Sequence, residues 1–169
     1  MSKVLLVYAT KYGATKEIAE RIAETIQAAG HETRLVPAEN APAVDGFDAV
    51  VVGSAVYIGK MRKAMRQFLK KNQEILSQKP VWLFASGPTG KDDQPGEFEG
   101  MHRPQAIRDL IDKIGPKERV VLGGALLRDA LSGLDRWMIS QAKAPLDDAR
   151  DWDAIAGWAQ KIADELSAG

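Results

Sequence analysis

Cysteine is absent from this 169-residue chain. Disulfides, thiolate-held iron–sulfur clusters and thiol nucleophiles are therefore excluded, and any redox chemistry must come from a bound organic cofactor or a metal held without sulfur. An excess of charge is lacking too. The 23 basic and 23 acidic residues cancel to a formal net charge of zero, so no global field draws in nucleic acid or an anionic membrane. No apolar run approaches the roughly 20 residues that a membrane-spanning helix needs. Met1-Ser2-Lys3 passes straight into a strand pattern with no small-residue cleavage site, so the expected location is cytoplasmic. The two histidines, His31 and His102, stand far apart without ligand-type neighbours. Both are expected at the surface, and no metal site is expected.

What is present reads as one α/β domain over residues 1–169, with 45% apolar residues to fill a core. Lys3–Ala9 (KVLLVYA) is nearly continuous apolar, the pattern of a strand buried on both faces. The turn Thr10–Thr15 leads into a helix from about Ala14 to Ala29. Ile18, Ile22 and Ile26 share its inner face, the pairs Lys16–Glu20 and Glu17–Arg21 lie outside, and Gly30 stands at the C-cap. His31–Pro37 follows as an edge strand and Asp48–Ser54 as a buried one. Met61, Met65, Phe68 and Leu69 mark the next helix, and Val81–Ser86 the fourth strand. Pro104 opens a helix through Ile107, Leu110, Ile111 and Ile114 that Gly115 stops, before a fifth strand, Arg119–Leu127. Asp151 caps a last helix carrying Ile155, Trp158, Ala159, Ile162 and Leu166. This alternation predicts a doubly wound five-stranded parallel sheet of order 2-1-3-4-5 with helices on both faces. Gly87–His102 reads as a long loop, and Arg128–Arg150 as holding an extra short helix with Leu131, Leu134 and Met138 on one side.

In such a sheet, ligands bind beyond the carboxyl ends of the strands where strand order reverses. That selects the loops after strands one, three and four: Thr10–Thr15, Ser54–Lys60 and Ser86–Gly90. The first places two hydroxyls, Thr10 and Thr15, around Gly13 at a helix start. Unpaired N–H groups, the helix dipole and the hydroxyls together suit a phosphate dianion. The competing reading is that both threonines merely cap the helix. Other phosphate loops fit worse. Gly87-Pro88-Thr89-Gly90-Lys91-Asp92 is too short for a Walker A loop and ends in Asp. No Gly-x-Gly-x-x-Gly follows strand one, and Thr10 and Ser54 stand where a receiver domain would carry acids. The basic cluster Lys60, Lys63, Arg66, Lys70 and Lys71 is either a solvated helix face or a docking site for an acidic partner.

The run Leu6–Ala19, LVYATKYGATKEIA, resembles the flavodoxin FMN-phosphate signature, apolar-apolar-aromatic-x-Ser/Thr-x-x-Gly-x-Thr-x-x-x-Ala, at every constrained position. Within that superfamily the chain is most similar to the flavodoxin-domain group that contains the menaquinone-dependent protoporphyrinogen oxidases. Gly53–Gly59, the helix Lys60–Leu76, Gly123–Leu126, Asp135–Ile139 and Asp151-Trp152 carry that closer likeness. The resemblance implies FMN as cofactor. Thr10, Lys11, Tyr12, Gly13, Ala14 and Thr15 would hold its phosphate. Ser54, Ala55, Val56, Tyr57, Ile58 and Gly59 would line one face of the isoalloxazine. Ser86, Gly87, Pro88, Thr89 and Gly90 would reach the pyrimidine edge with backbone groups.

Gly59 is either a turn before the next helix or a peptide that flips so that a carbonyl accepts a hydrogen bond from the N–H formed at flavin N5. Tyr57 is either the stacking ring or a loop tyrosine. The chain departs from carrier flavodoxins in being neutral and in lacking an aromatic residue in Ser86–Gly90. The implied function is flavin-mediated electron transfer with a redox partner protein or a quinone. The alternatives are a dehydrogenase passing electrons from a porphyrinogen substrate to a quinone, and a non-redox FMN-binding regulatory module. Catalytic residues stay open. The apolar side of Leu127–Ala144, with Trp137 and Met138, would then serve core packing, a substrate wall, or weak peripheral contact with the inner face of a membrane.

Overall fold

A computed structural model describes residues 1–11, 13–57, 60–87, 105–123 and 150–169, without the side chains of residues 57, 60, 87 and 123. Five parallel strands form the sheet: β1 (Lys3–Ala9), β2 (Glu32–Pro37), β3 (Ala49–Tyr57), β4 (Val81–Gly87) and β5 (Glu118–Gly123). Their order is β2-β1-β3-β4-β5, the doubly wound order expected from the sequence. A two-residue strand, Lys60–Met61, turns back antiparallel on the end of β3, with Val56 opposite Met61 and Tyr57 opposite Lys60. The sequence expectation ended this strand at Ser54. The structure carries it to Tyr57, because pairing with Lys60–Met61 satisfies backbone that would otherwise enter a loop.

Helices cover both faces. α1 (Ala14–Ala28) and α4 (Trp152–Ala168) pack on one, α2 (Lys63–Leu76) and α3 (Gln105–Ile114) on the other. The first core joins Ile18, Ile22 and Ile26 of α1 to Val4, Leu6, Val51, Trp82 and Phe84 of the sheet and to Ile155, Trp158 and Ile162 of α4. Each of those three isoleucines is fully buried, worth about 1.5–3 kcal/mol apiece. The second core joins Leu5, Val7, Val50, Val52 and Leu83 to Met65, Phe68, Leu69, Ile107 and Ile111. Alternate residues of one strand thus serve opposite cores, as the period of a strand requires.

Several ends lie where the local chemistry puts them. Gly30 and Gly115 follow their helices at φ 94° and 65°, the left-handed conformation that glycine takes without a Cβ penalty. Asp151 accepts the Ala154 N–H at 3.0 Å as N-cap of α4. Lys16 and Glu20 pair at 3.7 Å. Glu17, expected opposite Arg21, pairs with Arg150 instead.

His31, expected at the surface, is 6% exposed. Its Nδ1 accepts the Ser2 N–H at 3.1 Å, and its Nε2 lies 3.2 Å from the Ala163 carbonyl and 3.1 Å from the Ser167 hydroxyl. Those contacts define the neutral tautomer with hydrogen on Nε2, which donates to α4. The partners come from both extremes of the chain, so no local pattern around His31 announces them.

One close approach fixes a residue identity. A Cβ built on Gly53 would lie 1.9 Å from Cζ of Phe84. The Phe84 ring crosses β3 at this point and meets Trp158 edge-on, with centroids 6.0 Å apart. Glycine is the residue that leaves room for it.

Candidate functional site

The register brings the three selected segments to one edge of the sheet. Ala9 of β1 lies opposite Ser54 of β3, Ser54 opposite Ala85 of β4, and Ala55 opposite Ser86. This is the carboxyl edge where β1 and β3 diverge to opposite sides of the winding. Four polar or charged residues are buried among the described ones: Thr15, His31, Ser54 and Ser86. Three of the four sit at this edge, where each is hydrogen-bonded and its burial thereby tolerable.

Gly13 caps α1 at φ 91° and ψ −14°, left-handed backbone that disfavours a side chain. A Cβ there would meet nothing within 4 Å among the described residues beyond its chain neighbours, so its glycine answers to conformation. The Gly13 N–H donates to the Thr10 hydroxyl at 2.9 Å. The first helical bond of α1 runs from the Glu17 N–H to the Gly13 carbonyl at 3.2 Å. The N–H groups of Ala14, Thr15 and Lys16 therefore have no acceptor within the helix. Glu17 stands in the first turn, where its charge would oppose an anion, but it is ion-paired to Arg150, whose side chain is 6% exposed. N–H donors without a helical acceptor and a neutralised carboxylate fit a terminal phosphate.

Thr15 turns inward. It is 1% exposed, with Oγ1 2.7 Å from Ser86 Oγ, and this bond ties the start of α1 to the end of β4. The Ser54 hydroxyl donates to the Ala55 carbonyl at 2.9 Å and accepts the Arg62 N–H at 3.2 Å, locking the hairpin that follows β3. Lys11 is half-buried. Val56 packs into the core beside Met61, so at this edge it offers backbone alone. Tyr57 is described as backbone in β3, and Gly87 ends β4 opposite Gly123. Tyr12, Ile58, Gly59, Pro88, Thr89 and Gly90 lie outside the described residues, as do His102, Trp137, Met138 and the whole of Leu127–Ala144.

Two residues at this edge went unread in the sequence. Arg62 and Glu39 line a cavity of about 290 Å³ together with Ala9 and Thr10. Arg62 had a signal, since it stands between Lys60 and Lys63, just past the segment Ser54–Lys60. Glu39 had none, because it arrives from the 3₁₀ turn Ala38–Asn40 after β2. Among the described residues, the hydroxyls and N–H groups at this edge are groups that bind and orient a ligand. Among the described residues no group of three or more His, Asp or Glu could hold a metal ion, and no helix is long and apolar enough to cross a membrane.

Fold and edge together define a flavodoxin-type protein, and comparison with known proteins agrees. The chain belongs to the flavodoxin domain family, whose model matches residues 5–153. It is a flavodoxin-like redox protein, and a flavin is its cofactor class. Protoporphyrinogen IX dehydrogenase (quinone) of Escherichia coli is 26% identical over 178 aligned residues, covering 95% of this chain and 94% of that one. Among solved structures, an archaeal flavodoxin superposes with a TM-score of 0.62 at 16% identity, covering 98% of this chain and 99% of that one. Rubredoxin oxygen:oxidoreductase from Desulfovibrio gigas gives a TM-score of 0.64 at 16% identity, over 98% of this chain and 36% of the other. At these identities the structures speak for the fold.

Proposed function

We propose that this chain is a single cytoplasmic domain, residues 1–169, that binds FMN non-covalently and exchanges electrons with a redox partner. The donor-rich start of α1 carries the reading. Thr10 and the N–H groups of Ala14, Thr15 and Lys16 hold the phosphate. The ends of β3 and β4, held by Ser54 and by the Thr15–Ser86 bond, flank the ring system through residues 54–59 and 86–90. When bound, the flavin supplies the electron chemistry, and the protein supplies orientation and electrostatics. Arg62 places a positive charge beside Thr10, where it offsets phosphate charge.

A second reading is favoured by one observation, the full-length likeness to a protoporphyrinogen IX dehydrogenase. In that reading a porphyrinogen is the electron donor and a quinone the acceptor.

Calorimetric titration tests the first reading. FMN should bind more tightly than riboflavin, and Thr10→Ala should weaken FMN by about 1–3 kcal/mol, the usual worth of a hydrogen bond to a charged group, while leaving riboflavin unchanged. Equal affinity for FMN and riboflavin in the unaltered protein refutes the phosphate assignment. Incubation of the FMN-loaded protein with protoporphyrinogen IX and menadione tests the second. Quinone-dependent porphyrin formation supports it, and none above the protein-free rate removes it.

A further inference from the structure

The basic cluster of α2 is divided by the fold. Lys71 faces the side where α2 meets the chain after β2. Lys63, Arg66 and Lys70 face the other side and border a groove between α2 and α3, about 580 Å³ in volume. Across it α3 contributes Ile107 and Leu110 to the lining and Lys113 to the rim. Ile107 is buried and Leu110 half-buried, so an apolar strip runs between cationic borders.

Three observations say what would cover it. The rim is unbalanced. Four cations face one carboxylate, Asp109, and that carboxylate already accepts a hydrogen bond from Gln105 at 2.7 Å. Among the described residues none of the four cations has an ion-pair partner. A chain with zero net charge thus carries a local positive field. Next, Arg66 is half-buried in the groove wall, its Nε enclosed and without a hydrogen-bond partner among the described residues, so the outer guanidinium nitrogens are what a carboxylate would meet. Last, the groove runs along α2 from Lys63 to Gln73, about 15 Å at a rise of about 1.5 Å per residue, which is the length of roughly three helical turns. Its upper end, at Lys63 and Ala106, lies at the first turns of α2 and α3, on the same edge of the sheet as the candidate cofactor site.

We propose that this groove docks an acidic amphipathic helix of a partner protein, its apolar face on Ile107 and Leu110 and its carboxylates on Arg66, Lys70 and Lys113. This is the helix-in-groove mode of recognition. The identity of the partner as an electron-exchange protein rests on the redox reading above. The chemistry of the groove does not.

The probe is a fluorescein-labelled twelve-residue helical peptide with Leu along one face and Glu along the other, followed by anisotropy on the FMN-loaded protein. Micromolar binding that weakens as salt rises is expected. Neither the Glu→Lys peptide nor the Leu→Gln peptide should bind. Lys70→Glu with Lys113→Glu, both exposed and outside the cofactor site, should weaken binding on the order of tenfold, since two surface attractions become repulsions. Lys71→Glu, on the other side of α2, should leave it unchanged.

Several results overturn the proposal: no binding of the acidic peptide, equal binding of the Leu→Gln peptide, or an equal loss in Lys71→Glu. Loss of binding to phosphatidylglycerol vesicles in the Lys70/Lys113 variant, with no peptide binding, overturns it in favour of a lipid surface. An FMN titration of the same samples keeps the two readings apart. A protein that binds peptide but not FMN refutes the cofactor assignment and leaves the groove standing.

Discussion

Gly53→Ala is a one-methyl change with a calculable obstacle. The new Cβ would fall 1.9, 2.1 and 2.6 Å from Cζ, Cε1 and Cε2 of Phe84, all below any contact a carbon makes. The ring cannot swing freely, because Phe84 is 1% exposed and meets Trp158 edge-on. Overpacking of this kind costs about 1–3 kcal/mol, and a rigid ring among buried neighbours argues for the upper end. No other penalty opposes the change. Gly53 does not have a positive φ, and in ordinary strand backbone alanine is favoured over glycine by about 0.5–1 kcal/mol. The sign should therefore depend on residue 84. In a Phe84→Leu background the three crowding atoms are gone, and Gly53→Ala should become neutral or stabilising by up to about 1 kcal/mol. Urea unfolding of the four proteins in this cycle gives a coupling of about 2 kcal/mol or more if the argument holds. A Gly53→Ala cost that is the same in both backgrounds would show that the ring is not the obstacle. Gly53 also precedes Ser54, so the single variant should lose flavin affinity that the double variant regains.

Thr15→Val should destabilise by about 1–3 kcal/mol in urea unfolding, since Ser86 keeps a buried hydroxyl with its partner gone. Adding Ser86→Ala should recover part of that loss, and a strictly additive double variant refutes the bond. Lys161 is held above its ordinary pKa of 10.5, first by the hydrogen bond to Glu118 and then by its charge. A raised folded-state pKa gives stabilisation that is full below the ordinary value and lost as pH rises through the folded one. Glu118→Gln should lower the Lys161 titration midpoint read by side-chain NMR, and an unmoved midpoint contradicts the assignment.

What was legible in the sequence was what local chemistry decides. The apolar run of β1, the isoleucine face of α1, the glycines at 30 and 115 and the Asp151 cap all act within a few residues, and each lies where the pattern puts it. The order of the strands was legible because alternation of strands and helices leaves few topologies. What failed depended on distant partners. Ser54–Lys60 reads as a loop, yet pairing with Lys60–Met61 draws the chain on in β3 as far as Tyr57. His31 reads as a stray polar residue, yet Ser2 and α4 close over it. Thr15 was picked for its hydroxyl, and that hydroxyl turns inward to Ser86, seventy-one positions away, leaving its N–H at the start of α1. The basic cluster of α2 read as one face, and only the packing of α3 against one side of it divides it in two.

Trp82 is 1% exposed, and its Nε1 has no hydrogen-bond partner among the described residues. Indoles so enclosed, Trp82 and its core neighbour Trp158 at 8% exposure, give blue-shifted emission that solvent quenchers reach poorly, while Trp152, at 37% exposure, emits as a wet indole. Trp82 lies four residues before Ser86 on β4, about 13 Å along the strand. A flavin seated at the end of β4 would drain its excited state. The protein thus carries its own optical gauge. Loading of the site would dim the blue component, unfolding would shift it red, and the two events can be read separately without a label.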